Sequence, residues 1–148
     1  VNAARKVGPS GKVTVYEGSK EHTDYVRQSA KINELEDRIN VIHGIVGPMI
    51  SLNGEAKEPD QISPEELPRC DLLELDCEGS EVEILQNLSI RPRDILVESH
   101  GMYDAPASKL EDLLRDLSYS VISKSIADEG IQDFCIENDV HVISATRN

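Results

Sequence analysis

Cysteine and large aromatic residues are scarce in this sequence. Its 148 residues include no tryptophan, one phenylalanine and three cysteines. Cys70, Cys77 and Cys135 show no C-x-x-C spacing and are odd in number, which argues against a disulfide framework and a zinc knuckle. Cys77 lies in an apolar and acidic segment, where a neighbouring negative charge raises a thiol pKa. The cysteines are therefore expected to be reduced and structural, and Cys77 is not expected to be a nucleophile.

Long apolar runs and common catalytic motifs are also absent. No stretch approaches the roughly 18 apolar residues of a membrane span, and the opening VNAARKVGPSGKV has no apolar core of a secretion signal. No G-x-S-x-G, H-E-x-x-H, Walker or G-x-G-x-x-G pattern occurs, so hydrolase, zinc protease, nucleotidase and dinucleotide-binding functions have no motif behind them. We expect a soluble, cytoplasmic protein with no membrane partner.

Positive charge is scarce as well. Lysine and arginine number 15 against 28 aspartates and glutamates, which gives a formal net charge of −13. The basic residues are scattered, so a phosphate backbone would be repelled over most of the surface and nucleic acid is not an expected partner. An acid excess with few lysines and few aromatic residues is also typical of halophilic proteins, which is a hypothesis about habitat.

Residue patterns predict an α/β fold in a single domain spanning residues 1–148. Strand patterns occur in KVTVYE, RINVIHGIVG, Asp71 to Asp76, DILVESH, YSVISKSI and DVHVISATR. Helical patterns alternate with them, whereas Pro48 to Gln61 and the acidic segment between the last two strands read as irregular. The near-continuous apolar strands predict a doubly wound, mostly parallel sheet, and the final pair predicts a terminal antiparallel strand.

Small polar residues mark the predicted helix boundaries. Gly8 closes a first helix and Ser19 caps the next, over about Glu21 to Leu35. Three further starts are predicted: Ser63 with Glu66, Ser80 with Glu83 in a capping box, and Ser108 with Glu111, the last opening a helix with an apolar stripe of Leu110, Leu113, Leu114 and Leu117.

Acidic residues dominate the carboxyl ends of the predicted strands, which is where ligands bind in doubly wound sheets. The residues there are Glu17, Gly44, Asp76 with Glu78, and Glu98 with His100. A carboxylate such as Glu17 can accept both hydroxyls of a ribose, although a solvated turn glutamate is commoner. The other histidines, His22, His43 and His141, are expected to be neutral, hydrogen-bonded residues.

Two of these strand ends carry paired ionisable groups. Asp76 and Glu78 are two residues apart, so their side chains point to one side of an extended strand, and the same holds for Glu98 and His100. If the strands are neighbours, the groups converge, and His100 or Asp76 becomes a general base for a substrate hydroxyl. They could equally bind a divalent ion. For Glu78 and Glu81 the alternative is a helix N-terminus, where a carboxylate meets unpaired amides.

Several segments together resemble the FkbM-type methyltransferase family. They are VGPSGKVTVYEGS, RINVIHGIVG and DLLELDCEGSEVEIL with DILVESHG, and the resemblance continues to LSYSVISKS and VHVISATR. Its most specific element is the core D-x-x-x-x-D-x-E-G-x-E. The resemblance implies a Rossmann-like methyltransferase sheet, S-adenosylmethionine as the cofactor, and methyl transfer to a hydroxyl of a small molecule or sugar.

The resemblance also implies roles for individual residues. Glu17 would hold the ribose, and Tyr16, Gly18, Gly44 and Ile45 would border the adenine. Asp76 and Glu78 would lie by the methionine and the reacting methyl group, and Glu98 and His100 would line the substrate side. Asp76, Glu98 and His100 are thus the catalytic candidates, and no residue is assigned to a metal.

Two departures from the family affect these expectations. Glu74 stands where the family usually has a lysine, which reverses a charge. The family's first strand and D-x-G-A-N-x-G-type turn, which hold the methionine carboxylate, would precede VNAARKVG and are not in the sequence. We therefore expect an N-terminally truncated domain whose open strand edges favour self-association. The alternative is a non-catalytic binding or assembly module that keeps the fold.

Overall fold

The structure is a computed structural model that describes residues 1–48 and 59–147. The chain divides into two compact units, Val1–Ile62 and Ser63–Asn148, and each is described by itself. The expectation of a single domain over residues 1–148 stays a prediction. No helix in the described ranges is long and apolar enough to cross a membrane.

The first unit contains a parallel three-stranded sheet. Its strands β1 (Val13–Glu17), β2 (Ile39–Val46) and β3 (Asp60–Ile62) lie in the order β1-β2-β3, and its helices are α1 (Asn2–Lys6) and α2 (Lys20–Ile32). The two helices and the sheet share a core of Ala4, Ala30, Leu35 and Ile39, against which Val13, Val15 and Val41 pack. The helix and strand patterns of this part of the sequence are therefore confirmed.

The ends of these elements follow the predicted local chemistry in most places. Gly8 follows α1 with a left-handed φ of 78°, and the Ser19 hydroxyl accepts a hydrogen bond from the His22 amide at 3.3 Å. The segment from Pro48 to Gln61 lies mostly outside the described residues, but its end is not irregular. Asp60 and Gln61 belong to β3, a strand too short to show a sequence period.

The second unit contains a mixed four-stranded sheet in the order β4-β5-β7-β6. Its strands are β4 (Leu72–Leu75), β5 (Asp94–Glu98), β6 (Tyr119–Ile126) and β7 (His141–Arg147), and its helices are α3 (Glu81–Gln86), α4 (Ala107–Asp116) and α5 (Gln132–Glu137). β4 and β5 are parallel, whereas β7 is antiparallel to both of its neighbours. The predicted terminal antiparallel strand is confirmed, and Ile84, Leu85, Ile95, Val97, Leu110, Leu114 and Ile143 are fully buried.

Two local predictions for the part of the second unit that follows β5 are wrong. Helix α4 begins at Ala107, so Ser108 lies inside the helix, and the carboxylate of Asp139 accepts a hydrogen bond from the Ala107 amide at 2.8 Å. The segment expected to be an acidic loop forms a short 3₁₀ helix, Glu129–Ile131, followed by α5. Helix α5 has six residues and buries only Cys135, so it is too short for its sequence to show a clear helical period.

The strand pairings confirm the predicted α/β class with mostly parallel strands and an antiparallel end. The described strands form two sheets, whereas one sheet was expected. Among the strands of the described residues, β1 pairs only with β2, and β4 pairs only with β5. The Ser63-Pro64-Glu65-Glu66 start is confirmed as a 3₁₀ helix over Pro64–Glu66 with a complete capping box.

Candidate functional site

Three ionisable side chains meet at the carboxyl ends of β4 and β5. Leu75 pairs with Val97 in parallel register, which brings the following residues, Asp76 and Glu98, to the same sheet edge. His100 follows Glu98 by two residues, and its chain is fixed there by mutual backbone hydrogen bonds with Ala105. The predicted neighbourhood of these two strand ends is therefore present in the structure.

The imidazole of His100 lies between the two carboxylates. Its Nε2 is 3.5 Å from Oδ1 of Asp76 and 3.8 Å from Oε1 of Glu98. The His100 side chain is 7% exposed, that of Glu98 is 26% exposed and that of Asp76 is 61% exposed. One ligand atom from each of the three lies within 4.8 Å of the others, so the group could hold a divalent cation.

Glu81 is a fourth member of the site. Its carboxylate is fully buried, and Oε1 lies 2.8 Å from Nδ1 of His100. The same carboxylate accepts hydrogen bonds from the amides of Cys77 at 2.8 Å and Gly79 at 2.9 Å. The Glu81 carboxylate therefore fixes the turn after β4 and also orients the His100 ring.

Sequence reasoning found only half of the role of Glu81. The expectation that its carboxylate meets unpaired amides is correct, but its bond to His100 was missed. The sequence indicates a turn at Glu78 and Gly79, but only the folded backbone shows that their left-handed φ values of 52° and 106° turn successive amides inward. A carboxylate two residues beyond such a glycine is well placed to accept them.

The predicted capping box of Ser80 and Glu83 is wrong. Ser80 has φ −79° and ψ −8°, whereas a capping residue is usually extended, and its side chain caps nothing. The Ser80 hydroxyl is buried and has no hydrogen-bond partner among residues 1–48 and 59–147, and Glu83 is exposed. The Glu81 carboxylate accepts hydrogen bonds from the turn amides, so these amides do not depend on Ser80 or Glu83 for a partner.

The electrostatics of the site favour a charged pair. Burial alone would raise the pKa of the Glu81 carboxyl, but hydrogen bonds from His100 and the Cys77 amide outweigh it and lower the pKa. Burial alone would lower the pKa of His100, but the bond to Glu81 and the charges of Glu81, Glu78 and Asp76 raise it. Burial, and then the charge of Asp76, raise the pKa of Glu98. His100 and Glu81 thus hold each other in their ionised forms.

Cys77, which lies in the turn of this site, is unsuited to be a nucleophile. All three are free thiols, and burial together with the charge of Glu81 raises the pKa of Cys77 to about 12. A thiol with that pKa is protonated near neutrality and unreactive. The expectation that Cys77 is not a nucleophile is consistent with this environment.

A cavity of about 450 Å³ opens beside the site within the second unit. Its polar lining consists of Glu78, Glu98, Asp128 and His100. Its apolar lining includes Met102, Tyr103, Ile131, Phe134, Cys135 and Val140. Gly79 packs against one part of this lining, since a Cβ at Gly79 would lie 2.7 Å from the Cβ of Tyr103.

The residues assigned to the nucleoside lie in the first unit. Glu17 ends β1 opposite His43 of β2, and its Oε1 accepts a hydrogen bond from the Ser19 amide at 2.8 Å. Nε2 of His43 is 3.0 Å from the Gly18 carbonyl oxygen. The remaining assigned residues are Tyr16, which pairs with Ile42, and Gly44 and Ile45, which are buried beside β3. Their roles at a ribose and an adenine stay predictions.

The structure resembles solved methyltransferase-fold proteins over nearly its whole length. A ribosomal protein L11 methylase from Lactobacillus delbrueckii subsp. bulgaricus matches 99% of this chain and 62% of its own at 13% identity, with a TM-score of 0.60. A SAM-dependent O-methyltransferase from Thermotoga maritima matches 97% of this chain and 52% of its own at 18% identity, with a TM-score of 0.57. The cyclase SpnF matches 99% of this chain and 68% of its own at 12% identity, with a TM-score of 0.54.

These similarities define the class of fold. The chain has the Rossmann-like fold of S-adenosylmethionine-dependent methyltransferases, and it spans 62% and 52% of the lengths of the two methyltransferases above. No protein-family model matches the sequence, and no curated protein sequence matches it either. The same fold occurs in a cyclase, so the reaction has to be argued from the site.

Proposed function

We propose that the protein is an S-adenosylmethionine-dependent methyltransferase of the FkbM type that methylates a hydroxyl oxygen of a small molecule or sugar. The observation that supports this most is the buried Glu81–His100 pair beside Asp76 and Glu98, at the carboxyl ends of two parallel strands of a methyltransferase fold. An imidazole held by an orienting carboxylate is a suitable base for a hydroxyl nucleophile.

The first unit offers a hydrogen-bond acceptor that suits a ribose. Oε1 of Glu17 is engaged by the Ser19 amide, whereas its other oxygen forms no hydrogen bond among the described residues and could accept one from a ribose hydroxyl. Within the first unit, Tyr16, Gly18, Gly44 and Ile45 would border the adenine. When bound, S-adenosylmethionine supplies an electrophilic methyl group on a positively charged sulfur.

The residues of the site then have separate tasks. Nε2 of His100 accepts the proton of the acceptor hydroxyl, while Glu81 holds Nδ1 and stabilises the imidazolium that forms. Asp76 and Glu98 orient the acceptor, because in-line transfer depends on positioning. Since the pKa of His100 is raised, its base form becomes abundant only above the ordinary histidine value of 6.5, and the rate should rise with pH there.

The proposed acceptor is a small molecule and not a nucleic acid. The net charge is −13, and none of the residues that line the cavity is a lysine or arginine. A phosphate backbone would therefore meet repulsion both at the surface and at the site.

Calorimetric titration of the full-length form, which includes the expected first strand and glycine-containing turn, with S-adenosylhomocysteine tests cofactor binding. We expect the wild-type protein to bind it and Glu17→Ala to weaken binding by about tenfold or more, because a charged hydrogen bond to a ribose is lost. Glu36→Ala, an exposed glutamate of the same unit, is the matched control and should bind as the wild type does. Absence of heat from the wild type at millimolar ligand would contradict the methyltransferase proposal and favour a non-catalytic binding or assembly module.

A metal-assisted transfer is a second candidate, favoured by the ligand atoms of Asp76, Glu98 and His100 within 4.8 Å of one another. A divalent ion at this position would lower the pKa of a coordinated acceptor hydroxyl. Titration of the chelator-treated protein with Mg²⁺ and Mn²⁺ separates the two candidates. Activity that a chelator abolishes and the ion restores supports the metal, whereas activity that a chelator leaves unchanged supports His100 as the base.

A further inference from the structure

The cavity beside His100 has the size of a small-molecule site. Its volume of about 450 Å³ lies within the range of about 300–1,000 Å³ that is typical of ligand pockets. All of its lining residues belong to the second unit, and they divide into an acidic set and an apolar set.

The acidic set lacks a compensating cation. Glu98 is largely buried, forms no hydrogen bond in the described part of the chain, and has only the 3.8 Å contact to His100. The imidazole of His100 is itself bonded to Glu81, which leaves the charges of Glu98, Glu78 and Asp128 in excess. A partly buried carboxylate without a hydrogen-bond donor is costly and is stabilised by a cationic ligand.

The large side chains of the apolar set are unusually exposed to solvent. Met102, Tyr103, Ile131 and Phe134 are 46%, 48%, 52% and 47% exposed, and all four line the cavity. A cluster of exposed large apolar side chains around a concave surface indicates a binding site. The rings of Tyr103 and Phe134 can in addition attract a cation through their faces.

From these two sets we propose that the cavity binds a small amphiphilic cation, an aromatic or aliphatic molecule that carries an amine. As the identity of the methyl acceptor, this inference rests on the proposed function; as a binding site, it rests on the cavity alone. Anions are disfavoured by the three carboxylates, and a sugar buries less apolar surface against the apolar side chains than an aromatic or aliphatic molecule does. The acceptor is thus an amino alcohol or amino phenol.

Three isosteric probes that differ mainly in charge test this inference: tyramine, tyrosol and 4-hydroxyphenylacetate. Binding is measured by calorimetry or by NMR titration on the whole chain, with a chelator present so that no divalent ion neutralises the carboxylates. We expect tyramine to bind about tenfold or more tightly than tyrosol, and 4-hydroxyphenylacetate to bind most weakly. Equal binding of the three probes, or tightest binding of the anion, overturns the inference.

Substitutions then locate the site. Glu98→Gln should remove most of the preference for tyramine over tyrosol and leave tyrosol binding nearly unchanged, whereas Phe134→Ala should weaken both. Glu137→Gln, an exposed acid on α5 outside the lining, is the matched control and should change neither. If the preference survives Glu98→Gln in a variant with wild-type thermal stability, the inference fails. Because the probes are titrated without cofactor, this outcome is independent of S-adenosylhomocysteine binding.

Discussion

At the scale of single residues, the Glu81 carboxylate contributes both to the stability of the fold and to the candidate functional site. It accepts hydrogen bonds from two backbone amides and contacts His100, and it has no access to solvent. A buried ion pair need not stabilise a protein more than apolar residues would, but removal of one partner leaves the other charge uncompensated. Glu81 is therefore a position where a small chemical change has a large cost.

The first prediction concerns the charge of Glu81. Glu81→Gln keeps the shape but places an amide among donor groups, so the free energy of unfolding should fall by about 2–4 kcal/mol. The control is Glu83→Gln on the exposed face of the same helix, which should change stability by less than about 0.5 kcal/mol. Urea denaturation of both variants makes the measurement. If Glu83→Gln lowers the free energy of unfolding more than Glu81→Gln does, the result supports the capping box of Ser80 and Glu83 and contradicts the structure.

The second prediction concerns pH. The pKa of Glu81 is lowered and that of His100 is raised, so the contribution of the pair is complete between the ordinary values of 4.5 and 6.5. It is lost as the pH falls through the lowered pKa of Glu81, and again as the pH rises through the raised pKa of His100. Denaturation across this range should show the largest difference between wild type and Glu81→Gln inside the window. A difference that is constant with pH would contradict the ion pair.

Site residues could be predicted from sequence where the signal was local. The placement of Asp76, Glu98 and His100 together followed from two-residue spacing at the ends of two recognisable strands. The partnership of Glu81 with His100 depends on a turn whose inward amides only the folded backbone shows. The apolar side of the cavity was not predicted either, because Ile131 and Phe134 lie in a segment that reads as an acidic loop.

At the scale of elements, helix starts depend on groups that are distant in sequence. The amide of Ala107 at the start of α4 is bonded to Asp139, which precedes β7 by two residues and has a left-handed φ of 53°. Ser99, which follows β5, donates to the Asp139 carbonyl and accepts from the His141 amide, so it fixes the same corner. The start of α4 is thus tied to the sheet.

The third prediction concerns the hydrogen bond between the Ala107 amide and the Asp139 carboxylate. Asp139→Gly allows the left-handed backbone but removes the carboxylate, so the free energy of unfolding should fall by about 1 kcal/mol or more. Ser108→Ala, at the serine that the sequence favoured as the cap, should be neutral or slightly stabilising because alanine is the better helix former. Thermal or urea denaturation compares the two. Equal losses from both substitutions would mean that Ser108 shares the capping role.

Strand patterns predicted most elements correctly, because β-branched runs carry their own signal. Strands β1, β2, β5, β6 and β7 all lie within the predicted runs. The pairing order β4-β5-β7-β6 has no comparable signal, since it depends on which strands bury each other. The three-residue β3 and the six-residue α5 are too short for periodicity to distinguish them from loops.

At the scale of the whole molecule, negative charge is the dominant feature. A net charge of −13 on 148 residues produces self-repulsion that opposes folding at low ionic strength. Self-association stays a prediction, and its candidate surface is the edge of β4, where Leu72 is 49% exposed.

The fourth prediction concerns salt. Because the Debye length falls from about 10 Å at 0.1 M salt to about 3 Å at 1 M, the melting temperature should rise with KCl, as the halophile hypothesis requires. The control variant replaces the exposed Glu36, Glu129 and Glu137 by glutamine, which should flatten the dependence. A scanning calorimetry series in KCl provides the data. A melting temperature unchanged by salt would count against the hypothesis.

The central place of β7 in the second sheet has a consequence for synthesis on the ribosome. Strand β6 has β7 as its only neighbour in the described sheet, although β6 precedes it in the chain by a helix and a turn. Until residues 141–147 have left the exit tunnel, β6 and β5 present unpaired edges to solvent or to a chaperone. The β4–β5 pair can form first, and the second sheet is complete only when β7 pairs with both β5 and β6.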